Sequence, residues 1–392
     1  WGDSGGQINV MDPQLEVRDF SSVIDWAEAN LPVSKRDDGH AIVGCIGGSY
    51  GGGFQLMLAA QDPRVVAIAP WVTWYDLVQA MAPAKVARTA FTLLYAAGEI
   101  NGRMAPWVTV AYAEAMAGVP GVELGQLAKF REHSPASFCE QGKYPHVDAL
   151  LVQGTRDILF DGNEALHNME CIEKGGGDVR LLLVPNGHVL YEDPKLQEPP
   201  TSSFCGPIDP FESVVAWYDE KLRGKIAAAA AVPRVCISTA DDDAWIGEAM
   251  PRGGENFAVP ATMVAGPSLP IPLAAPDYFV PLKTIERPMR LAGLPLADME
   301  MSGLPVNVDP VIFAGIGLRR NGVISLINDQ ILPLRGLGEH KTELTVVGQD
   351  LQAGDEIGLA LYSSSAQYFG TGSRVPFLVS VSGNVDLPLH ER

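Results

Sequence analysis

Residues 42–70, "IVGCIGGSYGGGFQLMLAAQDPRVVAIAP", decide the fold of this chain. An apolar run over 41–46 leads into a glycine-rich turn, an apolar helix is predicted over 50–60, and a second apolar run covers 65–69. Strands that are apolar throughout, rather than alternating, and that flank a helix are typical of a parallel sheet covered on both faces. The sequence therefore predicts an α/β protein.

The turn in this stretch, "GGSYG" at Gly47 to Gly51, fits the pattern Gly-x-Ser-x-Gly. It ends a predicted strand and opens a predicted helix, which is the context that a nucleophile elbow requires. Such a turn strains Ser49 and raises its Oγ above the sheet edge, and we expect side chains at positions 47 and 51 to collide with neighbouring backbone. A phosphate-binding turn is the alternative, but Phe54 and Gln55 stand where that motif needs lysine.

A serine nucleophile needs a histidine base, and His188 is the best candidate. It follows a late core strand in the loop "PNGH", residues 185–188. The other six histidines precede the elbow strand or the acid, fall inside a predicted helix, or belong to a later β-rich region: His40, His133, His146, His167, His340 and His390.

The acid that orients the histidine should follow another core strand, in the chain order Ser, Asp, His. Asp157 comes directly after the strand "ALLVQG", residues 149–154. Asp161 is the alternative, although it is better placed to cap the next helix. The predicted mechanism has His188 take the Ser49 proton, Asp157 hold the imidazole tautomer, and the backbone N–H of Tyr50 donate to the oxyanion.

Composition excludes several classes of protein. The 392 residues carry a net charge of −19 and no Lys/Arg cluster, so nucleic acid and anionic membranes are excluded as partners. No apolar run approaches the roughly 18 residues that a membrane span needs. No metal site or cofactor loop is predicted, and five scattered cysteines, without a Cys-x-x-Cys pair, are predicted to be mainly buried small side chains.

The remainder of the chain is expected to form two domains. An α/β domain is predicted over residues 1–228, with a helical cap inserted over about 74–143. Residues 229–392 are predicted to form a β-sandwich, because short β-rich runs such as "PRVCIST" alternate there with Pro and Gly. The proline-rich stretch 259–295 is expected to cross the surface in extended loops.

The sequence resembles the CocE/NonD group of α/β-hydrolases, which includes Xaa-Pro dipeptidyl-peptidases, cocaine esterase and cephalosporin acylases. The stretches that carry the resemblance are "WGDSGG" (1–6), "IGGSYGGGFQLMLAAQDPRVVAIAP" (46–70), "HSPASF" (133–138), "ALLVQGTRDILF" (149–160) and "PNGH" (185–188). The resemblance implies an α/β-hydrolase fold with a helical cap and a C-terminal jelly roll. It also places the family's triad on Ser49, Asp157 and His188.

The family resemblance also bears on the first residues. In the family, further strands and a second oxyanion donor precede the motif that "WGDSGG" matches, so we expect the numbered chain to be part of a longer protein. The same letters spell the nucleophile motif of trypsin-like proteases, but that chemistry needs its histidine and aspartate before the serine. Only three residues precede Ser4, so Ser4 is not expected to be a nucleophile.

The predicted activity is hydrolysis of an ester or amide bond in a small molecule or short peptide. An esterase or acylase is favoured over a dipeptidyl-peptidase, because no acidic group that would hold a substrate amine is identifiable. A non-catalytic binding protein with a relic elbow is the alternative from another class. Trp71, Trp74 and Tyr75 are candidates for an acyl site, although aromatic residues are more often part of the core.

Overall fold

The computed structural model describes residue 3 and residues 5–117, 125–188, 203–267, 276–303 and 309–392. Ser4, and with it part of the predicted "GDSGG" turn, lies outside the described residues.

A six-stranded sheet forms the first part of the fold, in the order β1-β2-β3-β4-β5-β6. Its first five strands run parallel to one another, and β6 pairs with β5 in the antiparallel direction. The strands are β1 (Val43–Gly48), β2 (Val65–Trp71), β3 (Asp148–Gly154), β4 (Val179–Val184), β5 (Val235–Ala240) and β6 (Asp243–Gly247). The predicted α/β class is confirmed.

Helices cover both faces of this sheet. The inner strands β3 and β4 are almost wholly buried, as expected for parallel strands with helices on either side. The helices are α1 (Glu16–Asn30), α2 (Tyr50–Ala59), α3 (Leu77–Met81), α4 (Phe91–Asn101), α5 (Pro106–Ala117), α6 (Pro135–Glu140), α7 (Gly162–Lys174) and α8 (Pro210–Lys221). Helices α3 to α6 lie between β2 and β3 in the chain, where the helical insertion is predicted; their role as a cap stays a prediction.

Antiparallel sheets follow β6. One has the strand order β14-β10-β17-β7, a second has β12-β11-β16-β8 with β13 paired to β11, and a third has β15-β9-β18. The strands are β7 (Glu255–Gly266), β8 (Tyr278–Thr284), β9 (Met289–Gly293), β10 (Leu296–Gly303), β11 (Val311–Arg320), β12 (Val323–Leu326), β13 (Leu332–Arg335), β14 (Gly338–Glu343), β15 (Val347–Leu351), β16 (Glu356–Tyr362), β17 (Phe377–Leu387) and β18 (Leu389–Glu391). Their inner faces share one hydrophobic core, as the predicted β-sandwich requires.

Two expectations for the region after residue 228 differ from the structure. The stretch 259–295 is not a run of loops, because β7, β8 and β9 lie within or across it. The run "PRVCIST" supplies β5, which pairs with β4 through Leu181 and Val235 and so extends the α/β sheet past residue 228. The division into two domains stays a prediction.

Four of the five cysteines form disulfides, Cys139–Cys171 and Cys205–Cys236. Their Cα atoms are 5.9 and 6.2 Å apart, which is the separation a disulfide needs. These four side chains are buried, as predicted, but their pairing was not predicted; Cys45 is free. None of the described helices is both long enough and apolar enough to cross a membrane.

The outer edge of β1 is open among the described residues, since this strand pairs with β2 alone. Ile46 on β1 is 62% exposed, and α1 carries large apolar side chains that are about half exposed, among them Val23 (59%) and Trp26 (58%). On the other face of the sheet, Phe211 of α8 is 62% exposed. An apolar surface therefore surrounds this edge.

Candidate active site

The predicted site residues follow three strands of the six-stranded sheet. Ser49 follows β1, Asp157 lies three residues after β3, and His188 lies four residues after β4. Because these strands are parallel, their carboxyl ends meet at one edge, which is where ligands bind in sheets of this kind. The fold thus brings the three residues to the same edge of the sheet.

The turn at Ser49 is sharp and strained. Ser49 has φ 53° and ψ −117°, a left-handed backbone conformation that a non-glycine residue rarely adopts. Its N–H donates to the carbonyl of Trp71 at 2.9 Å, and its own carbonyl accepts from Thr73 Oγ1 at 2.9 Å. Gln55 donates to the carbonyls of Gly47 and Gly51 at 3.0 Å each, so the turn is held from both sides.

Three glycines allow this turn to pack. A Cβ on Gly47 would lie 3.0 Å from the carbonyl oxygen of Gly51, and one on Gly52 would lie 2.7 Å from Cβ of Thr73. A Cβ on Gly53 would lie 2.2 Å from the ring of Trp74, whereas one on Gly51 would meet no atom within 4 Å. The prediction that a side chain would collide with neighbouring backbone is therefore confirmed at position 47 and is wrong at position 51.

A matched pair of glycine variants tests this packing. We expect Gly53→Ala to lower the free energy of unfolding by about 1–3 kcal/mol, because the fully buried Trp74 ring must move. Gly51→Ala should raise it by about 0.5 kcal/mol, since alanine costs less backbone entropy in a helix. Thermal unfolding of the two variants measures the difference; equal melting temperatures would contradict the close contact with Trp74.

Asp157 is fully buried and its carboxylate is surrounded by donors. Oδ1 accepts from the backbone N–H groups of Leu159 at 2.9 Å and Phe160 at 3.0 Å. Oδ2 accepts from Gln153 Nε2 at 3.1 Å and lies 2.5 Å from His188 Nδ1. Such a set of donors fixes the orientation of the carboxylate.

His188 contacts this carboxylate through Nδ1, which in the neutral imidazole carries the proton and leaves Nε2 as the acceptor. Nε2 is buried and has no hydrogen-bond partner among the described residues, so it is not bonded to Ser49 Oγ. The ring of Phe160 lies edge-on to the imidazole, with centroids 5.4 Å apart. Asp157 and His188 are therefore in hydrogen-bond contact, whereas His188 and Ser49 are not. In unliganded enzymes the bond between base and nucleophile is often long and shortens only with substrate.

Asp161, the alternative acid, has other partners. It caps α7 by accepting from the N–H of Asn163 at 3.1 Å, and it pairs with Arg88 at 3.0 Å. Asp157, not Asp161, is the acid that lies against His188.

The remaining histidines make other contacts. Their partners are carboxylates or backbone carbonyls: Glu28 for His40, Val10 for His133, Gly175 for His146, Glu170 and Glu343 for His167, Gly336 for His340 and Ala292 for His390.

Gln153 was not predicted, yet it links the acid to the serine turn. Its Nε2 donates to Asp157, and its Oε1 accepts from the N–H of Thr73 at 3.1 Å. The hydroxyl of Thr73 in turn donates to the carbonyl of Ser49. The side chain is 1% exposed. A polar residue inside the apolar run "ALLVQG" was the available signal.

Tyr50 is the first residue of α2, so its backbone N–H lies at the positive end of that helix. Its hydroxyl donates to Glu16 Oε1 at 3.1 Å and accepts from the N–H of Met11 at 3.2 Å. Burial and the neighbouring Glu16 carboxylate raise the pKa of this phenol above its usual range, which keeps it protonated.

An apolar cavity of about 230 Å³ opens next to Ser49. Within the described part of the chain, no charged side chain lines it. Trp74 lines the cavity, but Tyr75 lies in a separate polar cavity and Trp71 packs on Phe211. Most of the lining comes from the helical segment between β2 and β3 and from the Asp157 loop, including Leu77, Met81, Phe91, Phe130 and Phe160.

The sheet, its helices and the sharp turn after β1 have the architecture of the α/β-hydrolase fold. Residues 1–190 match the family described as X-Pro dipeptidyl-peptidase (S15 family). This match confirms the resemblance predicted from the sequence. No curated protein sequence matches the chain.

Solved structures share the fold over nearly the whole chain. A CocE/NonD family hydrolase from Staphylococcus aureus aligns with a TM-score of 0.68 at 12% identity, covering 99% of this chain and 78% of its own. An aminopeptidase from the marine sediment archaeon Thaumarchaeota archaeon gives 0.67 at 16% identity, with coverages of 100% and 84%. An α-amino acid ester hydrolase gives 0.67 at 13% identity, with coverages of 94% and 79%.

Proposed function

We propose that this protein cleaves an ester or amide bond through an acyl-enzyme, with Ser49 as nucleophile, His188 as base and Asp157 as the orienting acid. The observation that carries the proposal is the 2.5 Å contact between His188 Nδ1 and Asp157 Oδ2. It lies at the sheet edge where the strained turn holds Ser49. The match of residues 1–190 to the X-Pro dipeptidyl-peptidase (S15) family supports the same chemistry.

The proposed reaction has two halves. Ser49 Oγ attacks the substrate carbonyl carbon while His188 Nε2 takes the hydroxyl proton, and Asp157 stabilises the imidazolium. His188 then gives that proton to the leaving alcohol or amine as the scissile bond breaks, which leaves the acyl group on Ser49. Water, deprotonated by His188, attacks the acyl-enzyme and releases the acid and free Ser49. The backbone N–H of Tyr50 is the proposed donor to the oxyanion.

The cavity beside Ser49 favours a neutral, apolar acyl group. Its volume of about 230 Å³ is below the roughly 300–1,000 Å³ of pockets that hold drug-sized molecules, which suits a short acyl chain or a single ring. A free amine on the acyl part would be buried there without a carboxylate partner from the described residues, which is costly. An esterase or acylase is therefore favoured over a dipeptidyl-peptidase or a hydrolase of amino acid esters.

A pair of matched substrates tests this assignment. We expect p-nitrophenyl pentanoate to be cleaved with a kcat/KM at least about tenfold above that of the p-nitrophenyl ester of norvaline, which differs only by its α-amine, because an unpaired buried charge costs more than about 1.4 kcal/mol. Hydrolysis of an Xaa-Pro-p-nitroanilide should be slower still. If the Xaa-Pro substrate is cleaved faster than the esters, a dipeptidyl-peptidase is favoured over an esterase. If none of the substrates is hydrolysed, a non-catalytic binding protein is favoured.

A further inference from the structure

Buried side chains donate hydrogen bonds to the backbone carbonyls of the loop that carries Asp157. Gln153 Nε2 donates to the carbonyl of Phe160 at 2.5 Å. The other donors come from distant parts of the chain. This loop, residues 155–160, is therefore held from outside as well as by the N–H groups that face Asp157 Oδ1.

Gln330 supplies two of these contacts from the β-rich region. Its Nε2 donates to the carbonyl of Thr155 at 2.8 Å and to the carbonyl of Asp157 at 3.0 Å. The side chain is 3% exposed, and 173 residues separate it from Asp157. A buried carbonyl that loses its donor pays the cost of an unsatisfied polar group, so removing this one amide should affect both carbonyls.

Arg88 holds the next two carbonyls. Its Nη1 donates to the carbonyls of Ile158 at 2.6 Å and Leu159 at 3.4 Å. Its Nη2 pairs with Asp161, and its Nε donates to the hydroxyl of Tyr368 at 3.0 Å. The guanidinium thus joins the helical segment, the Asp157 loop and the β-rich region.

The position of Gln330 is itself fixed by its surroundings. The two preceding residues, Asn328 and Asp329, have φ values of 54° and 60°, which is strained for non-glycine residues. Gln367 Nε2 donates to the carbonyl of Asp329 at 2.7 Å, and Asn328 Oδ1 accepts from the N–H of Gly348 at 2.9 Å. These contacts hold the backbone directly before Gln330.

We propose that Gln330 is a positioning residue for Asp157, so that the β-rich region takes part in setting the geometry of the acid and base. This inference rests on the proposed function of Ser49, His188 and Asp157. The Gln330 amide binds the carbonyls on either side of the Arg156–Asp157 peptide, so it restricts rotation of the loop at the acid itself and keeps the Asp157 carboxylate directed at His188 Nδ1. A base that is oriented in this way loses effectiveness when displaced by about 1 Å.

Gln330→Met tests the proposal, because methionine fills similar volume but donates no hydrogen bond. We expect kcat on the best p-nitrophenyl ester to fall by about 10- to 100-fold, with KM within about twofold because Gln330 does not line the apolar cavity and most of the lining comes from the helical segment between β2 and β3. Gln330→Leu, which also lacks the donor, should lose kcat to a similar extent.

Asn163→Leu is the matched control. Asn163 also joins the α/β part to the β-rich region, through the carbonyl of Leu344 at 2.8 Å and the N–H of Val346 at 2.9 Å, but it does not contact the Asp157 loop. Its kcat and KM should stay close to those of the unaltered protein even if its melting temperature falls. An equal loss of kcat in this control, or an unchanged kcat in folded Gln330→Met, would overturn the positioning role. If instead the unaltered protein hydrolyses no ester, the proposed function of the site fails, which is a separate result.

Discussion

Replacing Ser49 with alanine should lower kcat on the best ester by about 10⁴- to 10⁶-fold. The substitution removes the attacking oxygen and leaves the turn in place, because the contacts that hold it come from backbone groups of Ser49 and from Gln55 and Thr73. KM should change little, since the apolar cavity keeps its walls. Steady-state kinetics of the folded variant measure both quantities.

Covalent labelling supplies an independent readout of the same residue. A fluorophosphonate probe should label the unaltered protein and should fail to label Ser49→Ala. Ser22→Ala, which alters a serine of α1 whose hydroxyl donates only to the carbonyl of Arg18 at 3.1 Å, is the control and should be labelled normally. Labelling that persists in Ser49→Ala would assign the nucleophile to another residue.

Asp157→Asn should lower kcat by about 10⁴-fold while leaving the fold intact. The N–H groups of Leu159 and Phe160 both point at Oδ1, so the new amide must place its oxygen there. Its nitrogen then faces His188 Nδ1, and two donors oppose each other. The proton of the neutral imidazole must then lie on Nε2, and a protonated Nε2 cannot accept the proton of Ser49.

Asp161→Asn distinguishes the two candidate acids. Asparagine still caps α7, but the buried Arg88 loses its counter-charge, so the free energy of unfolding should fall. The loss of kcat should stay below about tenfold, because Asp161 does not contact His188. A larger loss in Asp161→Asn than in Asp157→Asn would reverse the assignment.

Much of the architecture follows from short-range sequence patterns. The strand, turn and helix at residues 42–60 are local in the chain, and the parallel direction of the strands follows from their uninterrupted apolar character. Once parallel strands are predicted, Ser49, Asp157 and His188 are expected at one edge of the sheet, because each of them follows the carboxyl end of a strand. Their catalytic roles stay predictions, and the contact between Asp157 and His188 is what the structure adds.

The contacts that sequence reasoning missed are those between distant residues. Arg88 and Gln330 give no local signal, because each is an ordinary polar residue until the fold buries it against the Asp157 loop. The disulfides were missed for a related reason: spacing does not reveal which cysteines pair. The expectation for Gly51 failed because the positions that lie against other residues are those of its neighbours Gly52 and Gly53, where a side chain would meet Thr73 and Trp74.

The two disulfides tie the stability of the fold to the redox state of its surroundings. Cys139 of α6 is joined to Cys171 of α7, and Cys205, before α8, is joined to Cys236 of β5. The partners are 32 and 31 residues apart in the chain, and a cross-link that closes a loop of this length typically stabilises a protein by about 2–4 kcal/mol, mainly by restricting the unfolded chain. Reduction of these bonds should therefore lower the melting temperature.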